Sequence, residues 1–131
     1  MIFPKIKTAV LALAIIALAS PALPAADHYE FQAGSSELKA GKGRVISIKL
    51  IDKRTKKPVS GATFVHTALD MSPENMADTK GKIAADTSTD PNVYRFKADF
   101  SLSGVWALKL KAKVPGEGQT VEGVLILRAN D

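Results

Sequence analysis

From Tyr94 to Lys113 the chain alternates with a period of two. Tyr94, Phe96, Ala98 and Phe100 are interleaved with Arg95, Lys97 and Asp99. After Ser103-Gly104 the pattern returns, with Trp106, Leu108, Leu110 and Ala112 set against Ala107, Lys109, Lys111 and Lys113. Successive side chains of an extended strand point to opposite faces. Each run therefore predicts a strand with its aromatic or aliphatic face in a core and its charged face in water. Trp106 lies in the middle of such a run and is expected to fill the centre of the core.

The rest of the chain carries shorter versions of the same signal. Tyr29-Glu30-Phe31-Gln32 begins an alternating segment that ends near Gly34-Ser35-Ser36. Arg44 to Ile51 is rich in β-branched residues, and Ile46, Ile48 and Leu50 fall on one face, as a half-buried strand requires. Asp52 to Gly61, with Lys53, Arg54, Lys56, Lys57 and Pro58, reads as a charged turn, and Ala62 to Leu69 as the next strand. Pro73 to Asn92 holds small and polar residues without a strong period and reads as a long connection. Pro115-Gly116-Glu117-Gly118 then turns the chain into a last strand, Thr120 to Arg128. Roughly six to eight short strands with regularly spaced turns predict an all-β fold, an antiparallel sandwich of two sheets.

Residues 1–26 have a different character. Lys5 and Lys7 form a basic start, an apolar run follows from Ala9 to Ala19, and Ser20-Pro21-Ala22-Leu23-Pro24-Ala25-Ala26 supplies small and helix-breaking residues. That order is a secretory signal peptide, with cleavage expected between Ala22 and Ala26. The apolar run is shorter than the about 20 residues that cross a bilayer, and no second such run follows. The expectation is a periplasmic protein with no transmembrane segment in its mature form, consisting of a single domain over residues 27–131. Losing Lys5 and Lys7 lowers the formal net charge from +5 to +3, a mild basic balance, and export removes nucleic acid as an expected partner. The absence of cysteine excludes disulfides, thiolate metal sites and a cysteine nucleophile.

Two lysine groups invite attention. Lys109, Lys111 and Lys113 share one face of a strand and read as its solvated side. The Lys53–Lys57 cluster reads as a solvated hairpin tip, or as a docking patch for an acidic partner.

One cluster stands apart. His66 precedes Asp70-Met71-Ser72-Pro73-Glu74-Asn75-Met76, and both methionines beyond Met1 fall in it. Thioether and imidazole donors suit copper, Cu(I) above all, so Met71, Met76 and His66 form a candidate metal set. The alternative is structural, with both methionines as adaptable packing under a loop. His28 adds a conditional site. After a cut at Ala26 it becomes the second residue, and the free amine, a backbone nitrogen and the imidazole can chelate Cu(II); otherwise it is a terminal residue without a role. Asp70 and Glu74 read as solvated carboxylates. No Gly-x-Ser-x-Gly elbow, His-Glu-x-x-His pair or phosphate loop occurs, and the chain is not expected to be an enzyme.

Taken in order, Pro58-Val59-Ser60-Gly61-Ala62, Leu69-Asp70-Met71-Ser72-Pro73-Glu74-Asn75-Met76, Val93-Tyr94-Arg95-Phe96 and Ser103-Gly104-Val105-Trp106-Ala107-Leu108 resemble the FixH/YtkA-like family over about Phe31 to Arg128. The resemblance implies an immunoglobulin-like sandwich, exported or membrane-tethered. It also implies copper handling, beside heavy-metal efflux systems or, for FixH itself, in assembly of a copper-containing respiratory oxidase. The resulting expectation is a periplasmic, non-enzymatic protein that binds or delivers copper as an accessory to an efflux or assembly complex. The alternative is a metal-free module that docks a partner protein.

Overall fold

The computed structural model describes residues 28–131; the expected signal peptide and its cleavage region lie outside them. The alternating runs fold as strands, ten of them in chain order: β1 Tyr29–Ala33, β2 Glu37–Lys39, β3 Gly41–Asp52, β4 Lys57–Pro58, β5 Thr63–Met71, β6 Met76–Gly81, β7 Ile83–Asp86, β8 Tyr94–Phe100, β9 Gly104–Lys113 and β10 Thr120–Asn130. One sheet runs β1-β3-β8-β7 with β4 added beside β3, and the other runs β2-β10-β9-β5-β6. Their faces meet in an immunoglobulin-like sandwich. All pairings are antiparallel except that of β10 with β2.

The predicted core is the observed one. Ile46, Ile48 and Leu50 of β3, Phe96, Ala98 and Phe100 of β8, and Trp106, Leu108, Leu110 and Ala112 of β9 are all buried between the sheets. Phe100 meets Trp106 edge to face at 5.4 Å. A second aromatic group centres on Phe64, which lies 5.8 Å from Phe31, 5.0 Å from Tyr94 and 5.1 Å from Phe96. Edge-to-face contact is the arrangement that aromatic quadrupoles favour. Lys109, Lys111 and Lys113 line the outer side of β9, as alternation predicts.

Pro73 to Asn92 is not a single connection, because β6 and β7 both lie in it. These strands sit at the sheet edges and turn most of their side chains to solvent, so they carry no apolar alternation to read. The chain passes from one sheet to the other between them, at Gly81–Lys82. A Cβ at Gly81 would collide with the Asp99 carbonyl and the Leu69 side chain. Close backbone approach does there what an apolar side chain does elsewhere.

The charged turn after β3 is tied down at the opposite end of the sandwich. Tyr29 donates its hydroxyl hydrogen to Glu117 at 2.6 Å and accepts from Arg54 at 3.0 Å. Arg54 also pairs with Asp52 at 3.1 Å and lies 5.4 Å from the Tyr29 ring centroid. Burial and the Glu117 carboxylate both push the Tyr29 hydroxyl pKa up. The Arg54 hydrogen bonds hold Asp52 below the usual carboxylate range, against a smaller opposing effect of desolvation. This network joins the start of β1, the β3–β4 turn and the β9–β10 turn.

Candidate functional site

The methionine segment forms the corner between β5 and β6. Met71 ends β5, a 3₁₀ turn follows over Ser72–Glu74 with Pro73 in its first turn, and Asn75 takes a left-handed conformation at φ 58° before Met76 opens β6. Asparagine tolerates that conformation better than most residues, and its N–H closes the turn on the Ser72 carbonyl at 2.9 Å. The corner is therefore a compact turn, not the open polar loop that the sequence suggests.

Its polar groups are engaged. Asp70 Oδ1 accepts the Ser72 N–H at 2.9 Å, and Oδ2 pairs with Lys109 Nζ at 3.0 Å. Asp70 is buried, which corrects its reading as a solvated carboxylate: the Lys109 ammonium and the Ser72 amide replace water. Burial alone would push its pKa up, but the Ser72 hydrogen bonds and the Lys109 charge together hold it below the ordinary value. Glu74 is exposed but reaches back, and its Oε2 accepts the Val105 N–H at 2.9 Å.

Met71 and Met76 are register partners across β5 and β6, so the structure does bring the two thioethers to one corner. They differ in access. Met71 is 2% exposed and belongs to the core, whereas Met76 is 40% exposed. The methyl end of Met71 lies beside Gly104, which adopts φ 136°; a Cβ there would sit 2.8 Å from both Met71 Cε and Glu74 Oε2.

His66 does not join them. Five residues of strand separate it from Met71, on the order of 16 Å at roughly 3.3 Å per residue. It is exposed on the outer side of its sheet, opposite Lys111, in a shallow groove of about 440 Å³ shared with Lys109 and Glu122. The carboxylate of that groove, Glu122, is paired with Lys111 at 3.4 Å, and Lys109 is taken by Asp70. His28 lies at the other end of the sandwich, where its carbonyl accepts the Lys53 N–H at 2.7 Å. The length of β9, about 30 Å by the same strand rise, separates that end from the methionine corner. Among the described residues no group of three His, Asp or Glu side chains is placed to hold a metal ion.

A second feature shares the methionine end of the molecule. Ala40, Gly41, Lys42, Lys80, Gly81, Lys82, Asp99, Phe100 and Ser101 enclose an open cleft of about 670 Å³. Sequence reasoning missed it because its lysines come from two distant segments. Each borders a glycine, at Gly41, Gly43 or Gly81, and that was the only available signal.

A family model described as YtkA-like matches residues 24–111. No curated protein matches the chain. Among solved structures, the Lin-41 filamin domain is similar at 13% identity and TM-score 0.43, covering 76% of this chain and 94% of its own. The ZirS C-terminal domain is similar at 14% identity and TM-score 0.48, covering 95% of this chain and 84% of its own.

Proposed function

Because the chain belongs to the YtkA-like family, we propose that it is an exported, non-enzymatic accessory protein of a heavy-metal efflux or metalloenzyme-assembly system, and that it contacts Cu(I) at the β5–β6 corner. The observation that supports this reading is the pairing of Met71 with Met76 across that corner. In a chain without cysteine these thioethers are its softest donors, and soft donors favour Cu(I) over zinc. His66 and His28 take no part in the contact. Two thioethers, one of them buried, make a weak and exchangeable site, better suited to passing copper on than to storing it. Export rests on residues 1–26, with a periplasmic mature form beginning between Leu23 and Asp27.

Protein recovered from the periplasm tests both parts. Mass spectrometry gives its first residue. Competition with a Cu(I) chelator should show one saturable site, weakened at least about tenfold by Met76→Leu and unchanged by His66→Ala. Equal affinity in the wild type and Met76→Leu would reject the corner as the site.

The burial of Met71 favours a second reading, a metal-free docking module in which both methionines pack the corner. That reading expects no saturable copper binding. It also expects a surface elsewhere that holds a partner.

A further inference from the structure

We propose that the cleft between the start of β3, the β6–β7 crossing and the end of β8 is a docking site for an acidic segment of a partner protein. This inference stands on different residues from the copper contact and does not depend on it.

Three ammonium groups line the cleft. Lys42 comes from β3, and Lys80 and Lys82 flank Gly81 where the chain changes sheets. All three are exposed, and among the described residues none has a carboxylate within ion-pair distance. The acidic group of the cleft, Asp99, is committed to the fold: its Oδ1 accepts the Gly43 N–H at 2.8 Å, and its own N–H donates to the Lys82 carbonyl at 2.9 Å. Arg44 adds to the positive field. Its guanidinium packs over Gly41 and donates to the Ala40 carbonyl at 2.9 Å, while its buried Nε has no partner.

The shape of the cleft identifies the occupant. At about 670 Å³ it is far larger than one oxyanion, and its lysines come from two separate segments, Lys42 from β3 and Lys80 and Lys82 from the β6–β7 crossing. Lysines present separate point charges on flexible stems, whereas a phosphate site favours the planar fork of arginine. Several carboxylates spaced along an extended chain match that distribution. The Lys stems, with half-buried Ala40, supply apolar wall for the peptide backbone between charges.

The test uses a fluorescein-labelled oligoglutamate of about eight residues, roughly 26 Å when extended, and fluorescence anisotropy with the purified protein. The charge-matched comparison is Lys42→Ala/Lys80→Ala/Lys82→Ala against Lys53→Ala/Lys56→Ala/Lys57→Ala in the exposed turn, each checked for an unchanged thermal melt. Saturable binding that falls at least about tenfold in the cleft variant and stays within about twofold in the turn variant supports the proposal. Equal losses would reduce it to net charge and overturn it. Displacement of the peptide by inorganic phosphate at equal concentration would reassign the cleft to a small oxyanion. Binding to phosphatidylglycerol vesicles through the same three lysines, without peptide binding, would reassign it to a membrane surface.

Discussion

Glu74 Oε2 accepts a 2.9 Å hydrogen bond from the Val105 backbone N–H, fastening the turn after β5 to the first residues of β9. Strand β9 is the centre of its sheet and carries Trp106, so this one contact couples the methionine corner to the middle of the core. The space for it exists because Gly104 lacks a side chain. Gly104→Ala places a methyl group against Met71 and Glu74 and forces a non-glycine residue to φ 136°. It should destabilise the protein by at least about 1–3 kcal/mol, read by urea unfolding. An unchanged midpoint would mean that the corner yields freely.

The two methionines should separate cleanly in stability. Met71→Ala empties core volume and is expected to cost about 2–5 kcal/mol. Met76→Ala changes an exposed edge residue and should stay within about 0.5 kcal/mol. Similar losses for both would show that Met76 also packs inward.

Trp106 is fully buried against Phe100 and donates its indole N–H to the Leu102 carbonyl at 3.0 Å. Trp106→Ala should cost about 3–5 kcal/mol, the range for deleting a large buried aromatic. A loss below about 1 kcal/mol in equilibrium denaturation would contradict the packing described.

Asp70 gives the corner a pH dependence. Its pKa is lowered in the folded protein, so its contribution is fully present above the unfolded value of about 3.9 and is lost as pH falls through the lower, folded value. Asp70→Asn should be less stable than the wild type at neutral pH, by about 1–3 kcal/mol for a hydrogen-bonded charged group. The gap should narrow in acid. Melting curves that stay parallel from pH 7 to about pH 2 would remove Asp70 as the cause.

The sandwich was legible because its core strands obey alternation. Phe96, Phe100, Trp106 and Leu108 face the core in the order that the sequence spells out, and Lys97 between them points outward. Strands β6 and β7 escaped because edge strands paired on one side need no buried alternation, and Gly81 packs through its backbone. The candidate site was legible only in part. Met71 and Met76 stand near each other in sequence and in space, but nearness of His66 in sequence misled: a strand carries five residues farther than a loop does. The Lys42–Lys80–Lys82 cleft was invisible for the opposite reason, since only tertiary folding brings its walls together.

Strand β10 pairs antiparallel with β9 along ten residues and parallel with β2 through Arg128 to Asn130. A segment near the start of the domain thus waits for one 91 positions later, and the second sheet has no complete form until Asn130 arrives. Contacts of such long sequence separation slow folding. The other sheet, β1-β3-β8-β7 with β4, has all its strands before β10 begins, so β10 is what closes the sandwich.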